Sequence, residues 1–184
     1  MTEGAAAASD LGPNDVAIGL AASGNTPYVG GALEAARARG AYTALVSNNP
    51  GARLSPLADV HVLLNTGAEV LTGSTRLKAA TAEKLVLNGF STALMIAVGR
   101  TWSNLMVSMV ATNEKLRERT VRILREATGL DDAAARTTLS ECDGDLKTAI
   151  VATLAGATPS DSRRVLADAD GSVRAALIQL TAQR

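Results

Sequence analysis

Val16-Ala17-Ile18-Gly19-Leu20-Ala21-Ala22-Ser23-Gly24-Asn25-Thr26-Pro27 is the stretch on which the fold turns. Its first part, Val16 to Ala21, is a short continuous apolar run, the pattern of a strand buried on both faces. Ser23 to Thr26 breaks the run, and Pro27 stands where an early helical residue loses nothing by lacking an N–H. The helix that follows carries Val29, Leu33 and Ala36 and stops at Gly40. Farther out, Tyr42 to Ser47 reads as a second strand, Asn48-Asn49-Pro50-Gly51 as a sharp loop and Val60 to Leu64 as a third strand. Strand, helix and strand in this order imply a right-handed parallel crossover. The expected class is therefore α/β, a parallel sheet of about three strands flanked by helices, followed by a small all-α tail.

A polar loop, Asn65 to Thr75, leads into an expected helix from about Arg76 to Val98. Its part from Leu85 to Val98 is largely apolar but shorter than the ~20 residues a spanning helix needs, so it reads as a buried core helix. A further helix is expected over Asn104 to Ala127, apolar at first and charged from Glu114 to Arg125. That change of composition divides the chain into residues 1–110 and 111–184. The tail repeats itself at a shift of 27 residues (Gly144 to Gly171), which also pairs Gly129 with Gly156, Arg136 with Arg163, Leu139 with Leu166 and Lys147 with Arg174. Each unit reads as a short helix, an Asp-Gly turn and a second helix, spaced as in ubiquitin-associated-type modules, with a structural cap as the expected role.

Composition removes several functions. Lys plus Arg equals Asp plus Glu at 18 each, so there is no net charge to favour nucleic acid or an acidic membrane. Aromatic residues are 2% of the chain, too few for base stacking. Cys142 is the single cysteine, which excludes an internal disulfide and a cysteine metal cage. Met1 to Asp10 has no basic segment followed by an apolar run, so no secretory signal is read there, and a cytoplasmic location is expected.

In an open parallel sheet ligands bind beyond the carboxyl ends of the strands. Ser23 to Thr26 lies there, offering two hydroxyls, a glycine and a helix N-terminus, the makings of a phosphate cradle. The same residues serve equally well as a plain Ser/Thr N-cap, and both readings stay open. Without a Walker lysine or further glycines, ATP and NAD are poor candidates. Thr72, Gly73, Ser74 and Thr75 form a second small-residue approach to a helix, and Glu69 before them stands where a carboxylate can act as general acid or base, or rest as a solvated loop glutamate with an ordinary pKa. His61 reads as an edge or core residue and Cys142 as inert; no metal ligand set and no cofactor are expected.

Together, Gly19 to Tyr28, Asn49-Pro50-Gly51, Glu69 to Ala79, Ala82 to Asn88, Asn104 to Val107 and Ala111 to Leu116 resemble the N-acetylmuramic acid 6-phosphate etherases, C-terminal portion only, in register from about Asp15 to the end of the tail. The resemblance implies the sugar isomerase (SIS) fold. It also implies a cofactor-free lyase that removes the C2 proton of a ring-opened sugar phosphate, expels lactate from C3 and adds water, giving N-acetylglucosamine 6-phosphate and D-lactate. By the same resemblance Ser23, Gly24 and Thr26 would hold the phosphate, and Glu69 matches a base of related sugar-phosphate isomerases; Asn25, Ser74 and Thr75 are further substrate-binding candidates. Asn25 stands where the family usually has Arg, and Ser108 where it has Asp. The two glutamates to which the family assigns acid–base work belong to an N-terminal half not represented in this sequence. A homodimer or a complex with an N-terminal-half chain is the implied assembly, with neither nucleic acid nor membrane as a partner. The alternatives are a non-catalytic sugar-phosphate-binding regulatory module and an inactive truncated fragment.

Overall fold

The computed structural model describes residues 1–182, and the chain divides into two compact units, residues 1–90 and 91–184. The first opens with helix α1 (Thr2–Ala7), then strand β1 (Val16–Leu20), helix α2 (Pro27–Ala38), β2 (Tyr42–Ser47), a 3₁₀ turn at Ser55–Leu57, β3 (Val60–Leu63) and the start of α3 (Lys78–Ala97). The strands form a parallel sheet in the order β1-β2-β3. The expected α/β class and its strand–helix–strand crossover are therefore present.

Register explains the packing of α2. Ala17 pairs with Thr43 and Gly19 with Leu45, so these residues share a face. A Cβ on Gly19 would lie 2.5 Å from a methyl of Val29, which shows that the backbone of β1 lies directly under α2. Ala21, Val29, Leu33, Leu45 and Ala52 make the core on this side. Helix α1, not anticipated from the sequence, crosses α2 at Gly4, where a Cβ would come within 1.9 Å of the Tyr28 carbonyl oxygen. The opposite face carries Ile18, Leu20, Ala44, Val46 and Val62, and β1 and β3 each have a single neighbour among the described residues.

Helix α3 forms where expected, but the reading of its apolar half as a buried core helix is corrected. Among its described residues only Ala79 is buried, while Leu85 is 62%, Phe90 50% and Ile96 56% exposed. Apolar sequence states a demand for burial; it does not supply the surface that meets it.

The expected helix over Asn104 to Ala127 is also corrected. Strands β4 (Thr101–Trp102) and β5 (Leu105–Met106) pair antiparallel across a turn in which Ser103 has φ 52°. Helix α4 (Glu114–Thr128) begins only after Asn113, whose side-chain oxygen accepts the Leu116 N–H. An Asn cap so placed starts a helix and leaves the apolar 107–110 stretch outside it. Val107 is buried in the core of residues 91–184.

Four short helices complete that unit: α5 (Asp132–Glu141), α6 (Leu146–Ala155), α7 (Pro159–Asp168) and α8 (Val173–Ala182). Asp131, Asp145 and Thr158 cap α5, α6 and α7 by accepting first-turn N–H groups. Two turns in this unit share one backbone conformation. Asp143 and Gly144 have φ 55° and 77°, and Asp170 and Gly171 have 51° and 73°. Val121, Leu124, Leu139, Leu146, Ile150, Val165 and Val173 converge on one aliphatic core.

Candidate functional site

Three loops leave the carboxyl ends of β1, β2 and β3, and hydrogen bonds lace the first two together. The Ala22 carbonyl accepts the Asn48 N–H at 3.0 Å, the Ser23 carbonyl accepts Asn49 Nδ2 at 3.0 Å and the Gly24 carbonyl accepts the Leu54 N–H at 3.1 Å. Gly24 sits at the centre with φ 67°, and a Cβ there would lie 2.2 Å from the Cβ of Ala52. Its missing side chain admits the neighbouring loop, so Gly24 is buried against Ala52.

The hydroxyls differ in availability. Ser23 Oγ receives the Asn25 N–H at 3.3 Å and is exposed. Thr26 is the N-cap of α2 but makes no side-chain capping bond, so the plain N-cap reading does not describe it. Asn25 uses its side-chain oxygen on the Arg53 N–H at 3.0 Å.

The third loop closes on the start of α3 through Glu69. Its carboxylate oxygens accept the N–H groups of Lys78 at 3.0 Å and Ala79 at 3.1 Å, and Lys78 Nζ reaches the Ala68 carbonyl at 2.8 Å. A carboxylate on two unpaired helix N–H groups is well stabilised in its ionised form. The Lys78 and Ala79 amides, in that order, hold the Glu69 pKa below its ordinary value, with the Lys78 charge assisting against partial burial. As placed, Glu69 is a cap and a weakened base.

The loops enclose a cavity of about 290 Å³ that brings Ser23 together with Glu69, Ser74 and Thr75. Gly24, Asn25 and Thr26 do not line it. Thr72, grouped with Ser74 and Thr75 from the sequence, lines it too, and so do Asn48, Thr66 and Gly67, which were not singled out. The signal was present: each follows the carboxyl end of a strand, where such folds bind ligands. Ser74 Oγ accepts the Arg76 N–H at 3.3 Å, which turns the chain into α3.

Other candidates lie apart. His61 Nε2 is 2.7 Å from Ser47 Oγ, a pairing within the sheet. Cys142 is fully buried, and burial raises its thiol pKa, as suits an inert core residue. Among the described residues there is no His, Cys, Asp and Glu group suited to a metal, and no helix is long and apolar enough to cross a membrane.

Residues 3–88 match the family model of the SIS domain. An N-acetylmuramic acid 6-phosphate etherase of Thermobifida fusca is 53% identical over 154 residues, covering 84% of this chain and 51% of that protein. One from Deinococcus radiodurans is 54% identical over 144 residues, 78% of this chain and 47% of its own length. One from Rubrobacter xylanophilus is 51% identical over 177 residues, 94% and 58%. The chain thus spans about half the length of the curated relatives it matches. Identity at this level, extending over most of the chain, places it in the N-acetylmuramic acid 6-phosphate etherase family as a C-terminal portion built on the SIS fold.

Proposed function

We propose that the chain serves as the C-terminal component of an N-acetylmuramic acid 6-phosphate etherase, cleaving the lactyl ether to give N-acetylglucosamine 6-phosphate and D-lactate in cytoplasmic amino-sugar recycling. The observation that carries this reading is the 290 Å³ cavity joining Ser23 to Glu69, Ser74 and Thr75 at the carboxyl ends of the strands. Serine and threonine hydroxyls beside helix N-termini suit a phosphate dianion. Ser23, Ser74 and Thr75 are proposed to hold the sugar phosphate, and Thr26 and the Asn25 amide to contact it at the rim beyond Gly24. Residues 1–110 would thus carry the ligand, and 111–184 would act as a helical cap of ubiquitin-associated type.

Glu69 is the acid–base group this chain offers, and its environment sets what it can do. Ether elimination needs one group to take the C2 proton and another to protonate the departing oxygen, each contributing typically ~10²–10⁴-fold. A single carboxylate with a lowered pKa, both oxygens engaged by α3, supplies neither role well. The pure chain is therefore expected to release lactate several powers of ten more slowly than a full-length relative. An added N-terminal half from such a relative should restore the rate. Lactate release, measured with and without that half, is the test. Fast turnover by the chain alone, lost in Glu69→Gln, would overturn the division of labour. Tight binding of the sugar phosphate with no turnover in either arm would favour a regulatory binding module instead.

A further inference from the structure

Two grooves in residues 91–184 are copies of one another. The shift of 27 residues (Gly144 to Gly171) pairs Thr120 with Lys147, Arg136 with Arg163, Leu139 with Leu166 and Gly144 with Gly171. The first member of each pair lines a groove of about 710 Å³, and the second lines one of about 240 Å³. Their floors match. The Gly144 N–H meets the Leu139 carbonyl at 2.7 Å, and the Gly171 N–H meets the Leu166 carbonyl at 2.7 Å.

One side chain makes the difference. Lys147, on α6, runs along the smaller groove and donates from Nζ to the Gly171 carbonyl at 2.6 Å. Burial, and then the nearby Arg100, lower its pKa, as expected of an ammonium that fills its slot. Thr120 holds the same position on α4 but is too short to cross, and its hydroxyl is spent on the Arg117 carbonyl at 2.7 Å. No side chain among the described residues donates to the Gly144 carbonyl. The larger groove also extends past its copy along Met109, Val110 and Ala111, and Val110 is 83% exposed.

We propose that the groove between α4, α5 and the Asp143-Gly144 turn docks a partner polypeptide that lays a lysine side chain onto the Gly144 carbonyl, as Lys147 does on Gly171 within the chain. A carbonyl oxygen only accepts, so the occupant must donate. The internal copy shows that an alkyl ammonium has the right length and shape. Arginine is a worse fit, because its planar fork seeks paired acceptors and the turn offers one unengaged carbonyl. Of the carboxylates at the mouth, Asp145 is committed to the first turn of α6. Asp143 pairs with Arg163, yet its side chain remains 83% exposed and attracts an approaching cation. The apolar extension at Met109 to Ala111 is what selects a polypeptide over a small amine, since it can receive the residues flanking the lysine.

The test is amide chemical-shift mapping of the full chain with the capped peptide Ala-Leu-Lys-Leu-Ala, against the same peptide with norleucine for lysine. The lysine peptide is expected to move the Gly144, Asp145 and Thr120 amides and to bind about tenfold more tightly, the worth of one charge-assisted hydrogen bond. Thr120→Lys should fill the groove from within and abolish that binding. Lys147→Thr should open the second groove, so that the Gly171 amide responds as well. Should the latter variant fold poorly, Thr120→Lys still decides. Equal binding of the two peptides, no response at Gly144, or unaltered binding in Thr120→Lys overturns the proposal. Binding of 1,5-diaminopentane as tightly as the peptide overturns the polypeptide as the source of the amine.

Discussion

Ser23 and Gly24 are neighbours with separable roles. Gly24 is buried with φ 67°, and any side chain there meets Ala52, so Gly24→Ala combines a left-handed backbone cost of ~1–2 kcal/mol with a clash. Thermal unfolding of that variant should fall by several degrees, and its loss of ligand affinity should follow the loss of fold. Ser23→Ala removes an exposed hydroxyl facing the cavity, so it should weaken sugar-phosphate binding in calorimetry while melting as the parent does. Equal melting of both variants, or unaltered affinity in Ser23→Ala, would show that the two roles were misassigned. Glu69 makes a third case at this scale. Ionised, it holds the Lys78 and Ala79 N–H groups; protonated, it loses them. Because its folded pKa is lowered, this support is complete above the ordinary carboxylate range and is lost as pH falls through the lowered value. Hydrogen exchange at the Lys78 and Ala79 amides should therefore quicken on acidification, and Glu69→Gln should show fast exchange at every pH.

Helix α3 shows where sequence reading succeeds and where it stops. Its span was legible because twenty residues, Lys78 to Ala97, contain no helix breaker except Gly89. Strand β1 was legible because a short aliphatic run ending in small polar residues and Pro27 has few other solutions. The β4–β5 hairpin was not, since its turn depends on Ser103 at positive φ with no glycine to announce it. The capping of α3 by Glu69 was invisible for another reason: the loop between them, not local spacing, brings the carboxylate back to the helix. Nor did the sequence show that Glu83 would turn inward with Ala79, Ala82 and Val86, the least exposed face of α3. One Glu83 carboxylate oxygen is buried without a hydrogen-bond partner among the described residues, and burial raises its pKa. The fold thus favours the protonated acid, so stability declines as pH rises from the ordinary carboxylate range through the raised value. Glu83→Gln keeps the shape and removes the charge. Its melting temperature should exceed that of the parent at neutral pH and converge with it near about pH 4. A variant less stable at both pH values would mean that the ionised carboxylate has a partner.

At the scale of the whole molecule, each unit holds an aliphatic core of its own, around Leu33 and Leu45 in residues 1–90 and around Leu124, Leu146 and Ile150 in residues 91–184. That separation makes removal of Thr158 to Arg184 informative. The deletion takes away α7 and α8 and with them Val165, Leu166, Val173 and Ala176, none more than 6% exposed. Each buried Val or Leu side chain is worth ~1.5–3 kcal/mol, so the loss rivals the ~5–15 kcal/mol stability of an entire domain. It also strips the partners of Leu146 and Ile150, because α6 packs against both lost helices. Residues 91–157 should then cease to unfold cooperatively, and Cys142, fully buried in the intact chain, should react readily with a thiol reagent. The sheet of residues 1–90 has a core cluster of its own and should keep its slow-exchanging strand amides, Leu45 and Val46 foremost. A tail that only capped an assembly would behave otherwise: Cys142 would stay protected and light scattering alone would register the deletion. Thiol reactivity and strand exchange measured on the same truncated protein therefore tell a tail that is its unit's own core from one that is an accessory to an interface.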